Sequence, residues 1–437
     1  MVMHSADISP KMTSLPYDRL QDEEEQGTSH QKPFHDIDID EQEIYPSQFS
    51  RLREHTPRWL STKVWVVVGS TLVVFAIFFG FKHTHRANTD NSLSLSSPYN
   101  IDLNTTTNPY KISKVSMLYG DNDLYERALQ SHIRHADRWG YPTKIWRQDD
   151  GCGFWNKPTF LMSLVTKELA KPEKERMEWL MWVDADSIIL NPTIPAHVFL
   201  PPPGQMPHVQ FVGTRDAGGL NTGIFFLRIG PWAIHMLLDS MAIPLCHPTL
   251  DLGRNADQEA MARVFQKTSG GIDGNGYKSG VVYMPRHLFN SYELRPNQYE
   301  EFKNSTIQEF PGWSRRHGYE GHKGDLLVHF PGLEGADRKP LMGDWLDIVE
   351  KRPEEWIVPV RNTSYVKDTR EFWNLYAEAL EVLREAARVS GGKEAGVVHV
   401  GLTEAMHTLR VGLSDEADDE EKIREYMKAV QEKMSVL

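Results

Sequence analysis

Cysteine is almost absent. Cys152 and Cys246 are the two in a chain of 437 residues, and neither their number nor their spacing suits a zinc site or a disulfide framework. An oxidising compartment would permit a bridge between them. Bridging needs close Cα atoms, which the sequence does not reveal, so a disulfide and two free thiols both stay open. Excess cationic charge is missing as well. Lysine and arginine number 48 against 60 aspartates and glutamates, a formal net charge of -12. That balance argues against a nucleic-acid partner, which would call for basic stripes. The acidic residues gather at the two ends, in "DEEEQ" and "DIDIDEQE" early and "SDEADDEEK" late. Hydrophobic and aromatic contents of 40% and 10% are ordinary for a globular protein.

Residues 1–63 have few regularly spaced apolar side chains, and their polar, acidic composition predicts a disordered tail. The run "VWVVVGSTLVVFAIFFGF", residues 64–81, is uncharged and about long enough to span a bilayer. It lies too far from the N-terminus, with too long an apolar core, for a cleavable signal peptide. Arg51, Arg53, Arg58 and Lys63 precede it, whereas Lys82 and Arg86 follow. The positive-inside bias then leaves the tail in the cytoplasm and the larger part across the membrane, a type II arrangement. Sequons at Asn104, Asn304 and Asn362 all fall on that far side, as expected of a glycosylated lumenal domain. Residues 82–113 read as a polar stem.

From Lys114 onward, strands and helices alternate. "KVSMLYG", "YPTKIWRQ" and "EWLMWV" read as strands. Between them, "DNDLYERALQSHIRHADRWG" and "NKPTFLMSLVTKELA" have helical spacing. Asp121 or Asp123 is the expected N-cap of the first helix and Gly140 its stop. This order predicts an α/β domain with a parallel sheet and right-handed crossovers over residues 114–350. Residues 351–437 read as a helical C-terminal extension, with a packing helix in "DTREFWNLYAEALEVLREAARV", a linker in "SGGKEAGVV", and a final amphipathic helix.

The chemistry centres on "EWLMWVDADSIILNP". Two like charges, Asp184 and Asp186, stand at a strand end, where open α/β sheets bind ligands. Alternation along a strand would put both on one side. Desolvating paired carboxylates is costly, and a divalent cation such as Mg²⁺ or Mn²⁺ offsets that cost. Downstream, "AGGLNTG" reads as a glycine-rich loop, with Asn221 in a tight turn, and Asp257-Gln258 could simply cap a helix. His329 stands among apolar neighbours, where a lone histidine packs into a core more often than it binds a metal. Phosphohydrolases of the haloacid dehalogenase type also end a strand in Asp-x-Asp. There Asp184 would be the nucleophile, but Ile188 stands where that class carries Thr or Val.

The ordered motifs "WLMWVDADSIILNP", "GLNTGIFFLRIGPW", "DQEAMARVF" and "LLVHFPG" resemble glycosyltransferase family 34 from about Lys114 to Glu350. The chain departs from that pattern at Pro331, where members carry Cys or a small residue, and matches loosely between Asp257 and His329. The resemblance implies a GT-A type, Rossmann-like nucleotide-sugar-binding fold behind a single N-terminal transmembrane helix. It implies a Golgi enzyme that uses Mn²⁺ and retains anomeric configuration. It also implies that Asp184 lies at the ribose and metal, that Asp186 and His329 ligate Mn²⁺, and that Lys157 lies near the donor. Asn221, Asp257 and Gln258 would line the sugar and acceptor side. The implied partners are a nucleotide-sugar donor, UDP-galactose first with GDP-mannose as alternative, and a glycan acceptor on protein or polysaccharide. A homo-oligomer, a transferase complex, or a non-catalytic subunit within such a complex are further expectations.

Overall fold

The structure is a computed structural model that describes residues 110–267, 269–271, 274, 276–293, 322–332, 335–391 and 398–436. The expected tail, the apolar run 64–81, Asn104 and Asn304 lie outside the described residues. Among the described residues, no helix is long and apolar enough to cross a membrane.

A six-stranded sheet forms the centre. Its strands are β1 (Ile112–Met117), β2 (Thr143–Trp146), β3 (Trp179–Val183), β5 (Phe211–Asp216), β6 (Gly219–Arg228) and β7 (Val281–Tyr283), in the order β2-β1-β3-β6-β5-β7. The sheet is mixed rather than parallel throughout. β1 runs parallel to β2 and β3, and β5 parallel to β7. β6 runs antiparallel to both of its neighbours. The reason is local: β5 turns straight back into β6 through Ala217-Gly218, a hairpin that no crossover helix interrupts. A second, two-stranded sheet pairs β4 (Ser187–Ile189) antiparallel with β8 (Leu327–His329).

Strand alternation divides the core. Leu180, Trp182, Phe225 and Leu227 face one layer, and Met181, Val183, Ile224 and Phe226 the other. The first layer is covered by α2 (Asn156–Leu169), α3 (Pro231–Cys246) and α4 (Ala256–Gln266). The second is covered in part by α6 (Tyr365–Ser390), α7 (Val398–Asp415) and α8 (Glu420–Ser435). Two further helices, α1 (Asp123–Trp139) and α5 (Gly335–Lys351), pack against the small sheet. Trp179, Trp182, Trp345, Trp356 and Trp373 are all fully buried. A fully buried Phe, Leu or Ile is worth roughly 1.5–3 kcal/mol, and indoles bury still more surface.

Several local expectations shift. The N-cap of α1 is Asn122, which accepts a hydrogen bond from Tyr125 N; Asp123 is the first helical residue. Gly140 closes the helix in the left-handed region, as expected of a C-cap. Helices α6, α7 and α8 share the main core, and Ile423, Met427 and Val430 of the last helix are buried in it. Cys152 and Cys246 are free and exposed, with no bridge.

One buried cation is unusual. Lys114 on β1 is 1% exposed, and its Nζ lies 3.1 Å from His132 Nδ1 and 3.0 Å from His135 Nδ1, both on α1. The opposite ring nitrogens meet acceptors, His132 Nε2 at Ser187 O and His135 Nε2 at Ile194 O. Each imidazole therefore donates through Nε2 and accepts from Lys114 through Nδ1. Burial, followed by the Lys114 charge, holds both histidines well below their ordinary range. Burial also lowers Lys114 to about 7 from 10.5. Between those two values the unfolded chain holds a proton that the folded chain lacks, so stability rises with pH across the window. We expect Lys114→Met, followed by urea unfolding between about pH 7 and 9, to flatten that rise by up to about 1.4 kcal/mol per pH unit. It should also lower stability overall, because two buried ring nitrogens lose their donor.

Candidate active site

β3 delivers its carboxylates just past its end. Asp184 N still donates to Gly223 O on β6 at 2.8 Å, after which Ala185 and Asp186 turn the chain into β4. The two aspartates therefore converge through a turn, and not through strand alternation as expected. Ser187 Oγ closes the turn by donating to Asp184 O at 2.7 Å. Opposite, the β4–β8 ladder pairs Ser187 with His329. His329 Nε2 lies 3.2 Å from Asp186 Oδ1, and ligand atoms of Asp184, Asp186 and His329 all fall within 4.8 Å of one another.

Two cations border this cluster. Lys157, in the first turn of α2, has its Nζ 3.1 Å from Asp184 Oδ1 and 4.0 Å from Asp257 Oδ2. It also stands 5.0 Å from the Trp182 ring centroid, and Trp182 Nε1 donates to Asp184 Oδ1 at 2.6 Å. Arg338 on α5 sets its Nη2 3.3 Å from Asp186 Oδ2 and hydrogen bonds the Tyr125 hydroxyl. Its buried Nε has no partner among the described residues. Burial raises the Asp184 pKa, opposed by Lys157 and reinforced by Asp186. Burial acts upward on Asp186 too, but His329 and Arg338 outweigh it and hold that carboxylate low. Lys157 feels the reverse: burial lowers it, yet Asp184 and Asp257 keep it above its ordinary value.

The donor set fits a divalent cation. Asn290 Oδ1 lies 2.7 Å from His329 Nδ1, which turns Nε2 toward Asp186. A bare nitrogen lone pair facing a carboxylate is attractive only with a proton or a cation between them. Two carboxylates and one imidazole suit a first-row divalent metal such as Mn²⁺ better than Mg²⁺, which prefers oxygen ligands alone.

The remaining expected residues act on the strand beside the cluster. Asn221-Thr222-Gly223 lies within β6, and the tight turn expected for it falls at Ala217-Gly218. Gln258 Oε1 accepts from Thr222 N at 2.9 Å and from Thr222 Oγ1 at 3.2 Å, while Lys157 Nζ donates to Thr222 O at 3.0 Å. Lys157 and Gln258 thus clamp one residue from both sides. Asp257 is 4% exposed and serves as the second carboxylate for Lys157. Asn221 is buried, with its Nδ2 3.1 Å from Asp216 Oδ2. Asn362 is exposed at the end of a 3-10 turn, where a sequon can be reached.

Arg338, Asn290 and Gly223 were not singled out from the sequence. Nothing in "GADRKP" distinguishes Arg338, because its role depends on α5 packing beside Tyr125. Asn290 lies between Asp257 and His329, where the sequence offers no motif. Gly223 did carry a signal, as the last residue of Asn-Thr-Gly. A Cβ there would stand 2.3 Å from His329 Cε1 and 3.0 Å from Nε2.

Residues 204–338 match the model of the galactosyl transferase GMA12/MNN10 family. That stretch includes Asn221, Asp257, Gln258, His329 and Arg338 but begins after Asp184 and Asp186. A curated relative, "Probable alpha-1,6-mannosyltransferase MNN10" of Saccharomyces cerevisiae, is 21% identical over 205 residues, covering 41% of this chain. The chain spans about half of that relative, 48% of its length. Together the two matches support assignment to glycosyltransferase family 34. A solved glycosyltransferase involved in the glycosylation of the major capsid of PBCV-1 aligns with a TM-score of 0.38 at 13% identity. The alignment covers 53% of this chain and 98% of that one.

Gly223→Ala tests whether the close approach of the His329 ring matters. Steric displacement of the ring should weaken Mn²⁺ binding in calorimetry by roughly 10–100-fold and lower stability by about 1–3 kcal/mol.

Proposed function

We propose that the chain, assigned through residues 204–338 to the galactosyl transferase GMA12/MNN10 family, transfers a hexose from a nucleoside-diphosphate sugar to a glycan acceptor. The observation that carries this reading is the convergence of Asp184, Asp186 and His329 between Lys157 and Arg338. Among the described residues, three carboxylates, counting Asp257, meet two fixed cations, an arrangement with room for a further positive charge. The parallel strands β2, β1 and β3, with the carboxylates just past the end of β3, support a GT-A type nucleotide-sugar fold.

Asp184, Asp186 and His329 would hold a divalent cation, with Mn²⁺ the choice suggested by the family. When bound, it stabilises negative charge on the donor diphosphate as a Lewis acid. Lys157 and Arg338 face the same region and add fixed positive charge where the leaving group gains its own. Gln258 and Lys157 hold the Thr222 backbone, and with it the strand that carries Asn221 and Gly223, rigid beside the reacting sugar. Retention of configuration rests on the family resemblance. Asp184 and Asp257 are engaged with Lys157, and Asp186 with His329 and Arg338, so these three carboxylates of the described residues are each committed elsewhere. We therefore favour front-face attack. The acceptor oxygen bonds the anomeric carbon on the face the diphosphate leaves, and its proton passes to a departing phosphate oxygen.

For the donor, GDP-mannose now ranks first, because the curated relative is named a mannosyltransferase. UDP-galactose, the first expectation from motif wording, ranks second on the family's description. The apolar run 64–81, its flanking cations and the sequons at Asn104, Asn304 and Asn362 favour a glycosylated, type II Golgi enzyme with a lumenal catalytic domain.

The test is donor-dependent nucleotide release by full-length protein in detergent, with GDP-mannose, UDP-galactose and UDP-xylose each supplied with Mn²⁺. Release from one donor should fall by at least about 100-fold with EDTA or in Asp186→Ala. Silence with every donor, in folded protein that also fails to bind Mn²⁺ and nucleotide, would defeat the enzymatic reading and favour a non-catalytic subunit of a transferase complex.

A further inference from the structure

Behind the cluster runs a chain of buried amides whose orientations are set from its far end. It begins at Asp216, the last residue of β5. Its carboxylate can only accept, and it takes hydrogen bonds from Tyr292 Oη at 2.9 Å, Asn221 Nδ2 at 3.1 Å and Gly218 N at 2.8 Å. Asn221 must therefore direct Nδ2 at Asp216. Its Oδ1 consequently faces the other way, where it accepts from Gly223 N at 2.9 Å. Two independent anchors, a carboxylate and a backbone N–H, thus exclude the flipped amide.

The next link is Asn290, which is 0% exposed. Because Asn221 presents an oxygen to it, Asn290 must answer with Nδ2, at 3.0 Å. The same Nδ2 donates to Thr214 Oγ1 at 2.7 Å. This leaves Asn290 Oδ1 toward His329 Nδ1 at 2.7 Å, and an amide oxygen cannot donate. The proton of that bond must sit on Nδ1, so Nε2 is the nitrogen presented to Asp186. Free imidazole has no such obligation; either nitrogen can carry the proton.

We propose that Asn290 is a positioning residue for His329. Held by Asp216 through Asn221, it selects the ring nitrogen that faces the carboxylates and links the metal ligand to strand β6. This rests on the reading of Asp184, Asp186 and His329 as metal ligands, and it assigns the third of them its nitrogen. It also gives Asn221 a task, that of orienting the Asn290 amide.

The readout is the protonation of the His329 ring nitrogens, followed by ¹⁵N NMR of histidine-labelled protein without metal up to about pH 9, with Mn²⁺ calorimetry beside it. In the wild type, Nδ1 should keep its proton throughout. Asn290→Ala should shift a substantial share of the proton to Nε2 and weaken Mn²⁺ binding roughly 10–100-fold. Thr214→Val removes another partner of the same amide while leaving Asn221 to orient it, so it should retain both the Nδ1 proton and the Mn²⁺ affinity. A wild-type ring with bare Nδ1 and protonated Nε2 overturns the proposal. So does a folded Asn290→Ala with unchanged tautomer and affinity, or a Thr214→Val that disturbs both as strongly as Asn290→Ala. Should Asn290→Ala fail to fold, the wild-type and Thr214→Val spectra still decide. Failure of the wild type to bind Mn²⁺ would instead count against the proposed function, because the nitrogen readout needs no metal.

Discussion

The candidate site depends on a ladder only three residue pairs long. Ser187 faces His329, Ile188 faces Val328 and Ile189 faces Leu327. One further bond, Phe330 N to Asp186 O at 3.0 Å, extends it around the carboxylate turn. So short a pairing has little strength of its own, since isolated two-stranded units are marginal in water. What holds it is burial: Ile188, Val328 and Phe330 are packed with Trp345 and Trp356 in one core cluster. On its other side, β8 bridges to Tyr292. The histidine is thus gripped between two segments, one carrying its carboxylate neighbours and the other the amide that orients its ring.

Electrostatics and packing cooperate around that ladder. The imidazoles of His132 and His135 and the amine of Lys114 form a polar layer behind the turn, and His132 reaches Ser187, the residue next to Asp186. Carboxylates lie in front and nitrogen donors behind, with the Ser187 backbone between them. A buried polar group that loses its partner costs more than a typical hydrogen bond contributes. The position of the turn is therefore specified by groups that take no part in chemistry.

Much of this could be read from residue order. Alternation of apolar periods foretold the first three strands and the helices between them, and the paired aspartates after "EWLMWV" foretold a charged strand end. Other features were hidden for physical reasons. Asn-Thr-Gly looks like a turn because glycine and asparagine favour turns; here glycine serves instead to admit an imidazole edge against β6. Strand direction was misjudged at β6, because a two-residue reversal between β5 and β6 carries no helix-length spacer to give it away. Helix α7 went unseen, since "VHVGLTEAMHTLRVGL" contains two glycines and several β-branched residues, a weak helical signal. Arg338 and Asn290 acquire meaning only through tertiary contacts with Asp186 and His329.

The helices after residue 365 complete the sheet they follow. Helix α7 packs along β7, the outermost strand on that side, and Ser414 Oγ donates to Lys278 O at 2.9 Å. Lys278 also pairs with Asp415 at 2.6 Å, and Arg215 with Asp418 at 3.6 Å. A ribosome makes these helices after everything they cover. Until they emerge, the β7 edge of the sheet stays open to solvent and to other chains. The finished domain therefore cannot close segment by segment as it is synthesised.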